Sequence, residues 1–391
     1  MKTLIELYDE RPMENVLAAD VFHPERVVYL CERAIAQDKI LQQHLRDYFD
    51  HRGLDIELVF EESSLYYTDK IARQILRITE TYPDCVLDIT GGTDAALFAA
   101  GQVSATSALP VFTYSRNRNR FYNIHNAAFL DDTPCEIQYS IIDFAEMCGG
   151  LVRAGRVDNE ILARYLDIID PFFSVFMKRR KDWKSFVTHI QRISAARSDG
   201  SFSLDVHGAY TVKGERGSPV SANPPLLREL QEIGLISNLA IKDGESVSFR
   251  FRDAQVRNWL RDVGSVLELY TYKACLDSSI FNDVRCSTVV DWENQQKADK
   301  VSNEIDVTAV NSVVPWFISC KVCDVDTDAL NELSILRDRF GGEGAGAILI
   351  SCEKCRMITR NRAQAMNIKI IDLDDLKSGN LSWQILNIIK S

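Results

Sequence analysis

The first third of the chain alternates short apolar, β-rich runs with amphipathic stretches. The runs are Thr3 to Leu7, Arg26 to Cys31, Ile56 to Phe60, Cys85 to Thr90 and Pro110 to Tyr114. Between them apolar residues recur at spacings of three and four, first Ile40, Leu41, Leu45, Tyr48 and Phe49, then Ile71, Ile75, Leu76 and Ile78. That is the pattern of helices with one buried face. Strands separated by helices of this length cannot be hairpins, so the pattern predicts a parallel sheet with right-handed crossovers and helices on both faces. Residues 1–148 read as a Rossmann-like domain.

From Gly149 the pattern turns helical, over Asp158 to Ile168 and Phe172 to Arg197, the latter apolar at Phe172, Phe173, Phe176, Trp183, Phe186, Val187 and Ile190. Ser198 to Pro225 is rich in Ser, Gly and Pro and reads as irregular, with a short strand at Ala209 to Val212. A helix over Pro225 to Ile233, then strands Leu239 to Lys242 and Ser246 to Phe251 about an Asp243-Gly244 turn, predicts a small winged-helix-like element. Residues 149–253 are thus expected to be a connector. Residues 254–391 return to α/β: a helix Ala254 to Cys275 carrying Glu268, and a hairpin of Asn303 to Val310 and Pro315 to Val322 about Asn311-Ser312. A helix Thr327 to Phe340, Gly341-Gly342 and a strand Gly346 to Ser351 follow.

Composition narrows the function. The chain has 391 residues, 46% hydrophobic and 26% charged, which suits two or three folded domains at roughly 100–200 residues each. With 45 Lys and Arg against 56 Asp and Glu, the net charge of -11 supplies no global field toward nucleic acid or an anionic membrane, so any such binding must be local. No apolar run approaches the roughly 20 residues that span a bilayer, and the start MKTLIELYDE lacks the apolar core of a signal peptide. Reduced thiols, a cytoplasmic location and no membrane partner are expected.

The loops carry the candidate chemistry. After the fourth strand, Asp88-Ile89-Thr90-Gly91-Gly92-Thr93-Asp94 opens directly into a small-residue helix, Ala95 to Ala108. Glycines admit a sharp turn and close approach, Thr93 can cap the helix, and its free amides attract an anion. Neither GxGxxG nor GxxxxGK[ST] is present, which disfavours a dinucleotide or an ATP-hydrolysing P-loop; a turn without ligand is the plainer alternative. In such sheets ligands sit beyond the carboxyl ends of the strands. Asp9 to Asn15, Thr90 to Asp94 and Ser115 to Arg120 fall there, the last either an Arg-rich phosphate partner or a solvated turn. Lys178-Arg179-Arg180-Lys181 and Lys184 can be a solvated helix face or a patch for a nucleic-acid backbone.

On the C-terminal hairpin Asp306 stands early in one strand and Lys321 late in the next, so antiparallel pairing brings them toward one sheet end, with Glu268 on the preceding helix. Two carboxylates can hold a divalent metal through oxygen, and a nearby lysine can position water and offset phosphate charge. A rival is a zinc site of Cys320-x-x-Cys323 and Cys352-x-x-Cys355. Its 28-residue gap (324 to 351) is longer than usual and filled by a helix and a strand, so buried free thiols are the default. The six histidines, at 23, 44, 51, 125, 189 and 207, show no paired metal spacing, and no GxSxG appears.

These motifs carry a resemblance. Residues 254–391 resemble a PD-(D/E)XK nuclease domain through Leu267-Glu268, Glu304-Ile305-Asp306-Val307, Ile318-Ser319-Cys320-Lys321 and Gly341-Gly342. The whole chain resembles CRISPR-associated effector nucleases that fuse a CARF sensor (CRISPR-associated Rossmann fold) to such a domain, through Glu10-Arg11-Pro12-Met13-Glu14-Asn15 and Asp88-Ile89-Thr90-Gly91-Gly92-Thr93. The resemblance implies a homodimer whose paired sensors bind a cyclic oligoadenylate, expected to be cyclic tetra-adenylate (cA4), and thereby switch on Mg²⁺- or Mn²⁺-dependent cleavage of DNA or RNA in type III CRISPR antiviral defence. It implies ligand contacts at Pro12, Asn15, Thr90, Gly91, Gly92, Thr93, Asp94, Tyr114 and Arg116. It further implies a catalytic set of Glu268, Glu304, Asp306, Ser319 and Lys321, with metal held by Asp306, Glu268 and the Cys320 carbonyl. One departure stands out: the family places an acid two residues before the lysine, where this chain has Ser319, so Glu268, Glu304 or Glu332 must replace it or activity is lost. An inert sensor-regulator that holds DNA near Arg250, Arg252 and Arg257 is the alternative, and a sensor that cleaves its own ring is a third.

Overall fold

In the computed structural model every residue is described except 65, 156, 158, 196–201, 215, 216, 292–301, 326, 343 and 391. The helix limits expected at Asp158 and Arg197, the first positions of the expected 198–225 loop, its positions 215 and 216, and the last residue of the C-terminal domain lie outside the described residues. Among the described residues no helix is long and apolar enough to cross a membrane.

The N-terminal sheet runs β1 (Thr3–Leu7), β2 (Arg26–Cys31), β3 (Glu57–Glu62), β4 (Cys85–Asp88), β5 (Val111–Ser115), β6 (Arg120–His125) and β7 (Thr133–Pro134) along the chain. In space the order is β3-β2-β1-β4-β5-β6-β7. The first five are mutually parallel, and β6 and β7 return antiparallel. Strands β1 and β4 are buried along their whole length and β2 nearly so, which is why they read as continuous apolar runs rather than alternating ones. One face is covered by helices Lys39–His51 and Ile141–Met147, the other by Thr68–Thr81 and Asp94–Thr106. Strand order reverses between β1 and β4, so the chain leaves these neighbours in opposite directions and opens a crevice at their carboxyl ends.

The stretch after Gly149 begins with β8 (Leu151–Ala154), which is no connector: it is the edge strand of the C-terminal sheet, antiparallel to β14 (Asp283–Asp291). The long helix expected from Phe172 is two helices, Leu166–Lys178 and Arg180–Ile193, joined at Arg179. The basic run is spent on clamps, with Lys178 and Arg179 on Glu229 (2.7 and 3.1 Å) and Arg180 on Glu353 (3.3 Å). Next come β9 (Asp205–Ala209), the small pair β10 (Thr211–Lys213) and β11 (Pro219–Ser221), helix Pro224–Glu232, β12 (Ile236–Lys242) and β13 (Ser246–Phe251). The helix and the sheet β12-β13-β9 make the winged-helix-like unit.

The helix expected over Ala254 to Cys275 is also broken, into Ala254–Leu260 and Ser265–Ser278. The Asp262 carboxylate accepts the amides of Gly264 and Ser265 (3.0 and 2.8 Å), an alternative to the helical ladder that ends one helix and starts the next. The C-terminal sheet contains β14 (Asp283–Asp291), β15 (Ser302–Asn311), β16 (Val314–Lys321), β17 (Gly346–Ser351) and β18 (Lys369–Ile371), ordered β18-β17-β16-β15-β14-β8. One face packs on helix Ser265–Ser278 and the connector helices in a single apolar cluster. The other face, with Val310, Phe317 and Leu349, shares a continuous apolar cluster with Tyr139, Phe144 and Leu45 of the N-terminal domain. Hydrogen bonds close this seam: Tyr139 N–H to Ser312 O (2.9 Å), Asn282 Nδ2 to Tyr139 O (2.7 Å) and Ile141 N–H to Asp283 Oδ2 (2.9 Å).

Candidate functional site

The crevice between β1 and β4 gathers most of the residues expected to meet a ligand. At the end of β4 the Asp88 carboxylate accepts the Thr90 amide (2.7 Å) and hydroxyl (2.5 Å), and the Thr90 hydroxyl in turn accepts the Tyr114 amide (2.8 Å). Thr93 caps the helix by accepting Ala96 N–H (3.3 Å), while Asp94 opens it, exposed. Across the crevice Asn15 is locked in the loop after β1 by two bonds with the Asp9 main chain (2.9 and 2.8 Å), and Pro12 starts the short 3-10 turn that ends at Asn15. The Tyr114 hydroxyl donates to Asn119 (2.6 Å), and Arg116 reaches back to Glu14 (2.5 Å).

The glycines have a different immediate role from an open cradle. Gly92 has φ +98°, and a Cβ there would stand 2.7 Å from Leu7 Cβ; one on Gly91 would stand 2.9 Å from Asp9 Cβ. Close packing of the two loops therefore requires them. The Gly92 amide, an anion donor by its place, is already taken by Asp9 Oδ2 at 2.8 Å. Sequence reasoning did not single out the acids beneath the crevice. Burial, with the Asp88 and Glu14 charges adding, pushes Glu6 well up; burial takes Asp88 up to about 7 against its Thr90 bonds; burial also raises Glu14 although Arg116 and Arg11 oppose it. Asp9 is pulled up by burial, but its bonds from Arg11 and Gly92 prevail and hold it below the usual range. Glu6 and Asp88 are isolated polar positions in apolar strands, a pattern that gives sequence reading no spacing to detect. Beside the crevice lies a cavity of about 300 Å³ lined by Tyr8, Pro12, Asn15, His44 and Arg339.

The second constellation lies on the C-terminal sheet. The ladder pairs Cys286 with Val307 and Thr288 with Ile305 but skips Ser287 and Asp306. Ser287 is fully buried with φ +52°. Cys286 and Val307 pack in one apolar cluster, whereas Val290 and Ile305 pack in the other, on the opposite side of the sheet. Regular alternation would keep Val307 and Ile305 together, so both strands change face at Ser287 and Asp306. Asp306 is thereby aimed along the sheet instead of into either core: its Oδ2 accepts Cys320 N–H (2.7 Å) and the Ser319 hydroxyl (3.2 Å). Burial raises the Asp306 carboxyl, the Cys320 amide and Lys321 lower it, and Glu304 raises it again. Glu304 takes the Ser287 hydroxyl at 2.5 Å.

The hairpin ladder ends at Val307 opposite Ile318, so Ser319 to Lys321 lie beyond its last pair, with the Lys321 charge felt at Asp306. Glu268 is buried in the first turn of its helix, and its charge is felt with that of Asp306 at the Cys320 thiol, which donates to Thr271 (3.4 Å). Glu332 instead accepts from Asn303 (3.2 Å) at the entry of β15. The structure thus brings Asp306, Ser319, Cys320 and Lys321 together with Glu304 and Glu268 on two sides. Ser287 and Thr271 are the supports that sequence reading missed.

The other candidates resolve differently. The described cysteines are free thiols, and Cys320, Cys352 and Cys355 are buried while Cys323 is exposed. Arg257 is 4% exposed and donates to the Ser194 carbonyl (3.0 Å), Arg250 pairs with Asp205 (2.5 Å), and Arg252 lies over the Tyr165 ring. Arg257 is thereby held inside the fold, whereas Arg250 and Arg252 remain partly exposed.

Among the described residues no three His, Cys, Asp or Glu side chains gather to hold a metal. The donors at the strand end are carboxylate and hydroxyl oxygens. Mg²⁺ is commonly held by only one or two carboxylates, the rest of its shell being water and substrate phosphate, so Asp306 with one neighbouring glutamate fits Mg²⁺ or Mn²⁺ of that kind.

Residues 256–389 match the family described as Card1-like, endonuclease domain. No curated protein matches the chain. Among solved structures, protein VC1899 from Vibrio cholerae superposes with a TM-score of 0.75 at 18% identity, over 99% of this chain and 98% of that one. Can2 from Sulfobacillus thermosulfidooxidans, solved in complex with cyclic tetra-adenylate, gives 0.70 at 18% identity over 100% and 98%. The shared fold therefore runs end to end.

Proposed function

We propose that this chain, which has the architecture of a CARF-domain nuclease with a Card1-like endonuclease domain at residues 256–389, is a cyclic-oligoadenylate-activated endonuclease of type III CRISPR defence. The observation that carries this reading is the face change at Asp306. A strand is distorted at a cost to its own ladder, and the result is a carboxylate presented beside Lys321 inside a nuclease-family domain. The fold shared with a protein that binds cyclic tetra-adenylate supports that ring as the activator. The crevice residues Asn15, Thr90, Tyr114 and Arg116 would receive it, in a homodimer in the cytoplasm.

Bound Mg²⁺ or Mn²⁺ would supply a nucleophilic water near neutral pH and polarise the phosphoryl oxygen. Asp306 and either Glu304 or Glu268 would hold the ion, in place of the acid missing at Ser319. Cys320 N–H and the Ser319 hydroxyl keep the Asp306 carboxylate in one orientation, which spares the site that reorganisation at each turnover. Lys321 favours the ionised form of Asp306, which burial opposes, and would offset charge on the scissile phosphate.

The test is incubation of the purified protein with labelled DNA and RNA, single-stranded and supercoiled, with and without cyclic tetra-adenylate and Mn²⁺. Ligand-stimulated cleavage that disappears in Asp306→Ala with Lys321→Ala is the expected result. Cleavage that survives both changes, or none in the unaltered protein, would refute it.

A further inference from the structure

Three distant parts of the chain meet at one guanidinium. Arg116, at the end of β5, pairs with Glu14 of the loop after β1 at 2.5 Å. The C-terminal domain closes over the same side chain: Gly344 has φ +99°, and a Cβ there would stand 2.8 Å from Cδ and Nη1 of Arg116. Gly342 sits likewise against Arg11, with its virtual Cβ 3.4 Å from Arg11 Cγ, and Arg11 holds Asp9 (2.8 Å) and approaches Glu14 (3.7 Å). Between the two domains at this point lies a cleft of about 470 Å³ bordered by Glu10, Arg11, Arg337 and Ala345.

Glu14 is poorly provided for. Its side chain is 4% exposed, and its Oε2 is buried with no hydrogen-bond partner. A buried carboxylate with half its acceptor capacity unspent is an expensive group to keep. What it does achieve is to neutralise Arg116, a cation at the carboxyl end of β5 whose side chain is still 17% exposed. A phosphodiester offers a two-oxygen edge to a guanidinium fork, where Glu14 engages through Oε1 alone, and it keeps full charge at any physiological pH.

We propose that Glu14 is a resident anion on Arg116: it occupies the position a ligand phosphate takes, must be displaced by it, and thereby sets both the affinity of the sensor and the hold of the sensor on Gly344. This rests on the reading of the ligand as a cyclic oligoadenylate. The consequence for the C-terminal domain follows from chain order. Gly346 begins β17, which pairs in parallel with β16, Ser351 standing beside Lys321. When Arg116 exchanges Glu14 for a ligand, Gly344, which rests on it, moves two residues before the strand that flanks the catalytic lysine. Arg116 is a binding residue in this scheme, and Glu14 a positioning residue acting through it.

The experiment measures cyclic tetra-adenylate binding by calorimetry, and amide exchange at Gly344 and Ala345, in the full chain. Glu14→Gln keeps the shape and removes the charge; about tenfold tighter binding is expected from the lost competition, together with faster exchange at Gly344 and Ala345 before ligand is added. Glu14→Asp, which withdraws the carboxylate by one methylene, gives a smaller gain in the same direction. In an Arg116→Gln background the Glu14→Gln gain vanishes. Binding that is unchanged or weaker in Glu14→Gln, or a gain that persists without Arg116, overturns the proposal. Should the unaltered chain bind no cyclic tetra-adenylate, the ligand reading fails separately. Pyrophosphate binding and ligand-free exchange then decide the role of Glu14, a rise in both supporting it and no change refuting it.

Discussion

The main-chain amide of Cys320 donates to the Asp306 carboxylate at 2.7 Å, joining β16 to β15 beyond their last ladder pair, Val307 with Ile318. The bond fixes where the acid points and favours its ionised form. Asp306→Asn retains an oxygen for that bond and loses only the charge, so cleavage should fall about 100-fold or more while the thermal midpoint stays within a few degrees. Lys321→Ala should do the same. A large drop in the midpoint of either variant would show that the pair is structural.

Ser287 holds the turn in β14 that makes the face change possible, with a left-handed φ that a β-branched residue tolerates poorly. Ser287→Val should cost about 1–3 kcal/mol and remove the bond to Glu304. Ser287→Gly relieves the backbone yet still lacks the hydroxyl. Cleavage reduced in both, with stability reduced only in the first, is the outcome expected from activity assays and urea titrations.

The crevice glycine and a helix glycine should respond with opposite sign. Gly92→Ala meets Leu7 and an unsuitable φ, and should destabilise the protein by about 1–3 kcal/mol. Gly101, inside the helix Asp94–Thr106, would meet nothing within 4 Å, and its change to Ala should stabilise by roughly 0.5–1 kcal/mol. Melting curves of the two variants check both.

Asp88 gives a pH signature. Burial raises its carboxyl from the usual 3.8 to about 7, so between these values the unfolded chain has released a proton that the folded chain keeps. Stability from this group is full below the lower value and lost as pH rises through the upper. The thermal midpoint should decline between about pH 4 and about pH 7, and Asp88→Asn should flatten that decline in part, Glu6 and Glu14 supplying the remainder. A variant with an unaltered pH profile would show that Asp88 is already ionised.

Strands buried on both faces and helices with one apolar stripe announced themselves in the sequence, and β1, β2, the helix Thr327–Phe340 and β17 fall where the pattern places them. What escaped was structure whose pattern is broken by its own geometry. Strand β14 changes face at Ser287, so no single period describes it, and the sequence pattern placed no element there. The helix carrying Glu268 is buried on almost every side and shows no stripe to mark where it starts, so the Asp262 break went unseen. Strand β8 is short and amid helices, with a partner more than a hundred residues away in the chain that no local signal names. Asp306 and Lys321 were legible by residue type and spacing; the amide and hydroxyl that orient Asp306 belong to tertiary structure.

The seam at Tyr139 bears on how such proteins can be taken apart and recombined. No slack tether runs between the lobes there: the Tyr139 main chain is bonded to both Ser312 and Asn282, and β8, immediately after the N-terminal lobe, is woven into the opposite sheet. A graft that exchanges residues 1–148 for another sensor would leave an apolar face bare and mismatch the bonds at Asn282 and Asp283. Swapping specificities between relatives would therefore succeed only if the transplant carried both sides of the weld, so the unit of inheritance is larger than either lobe.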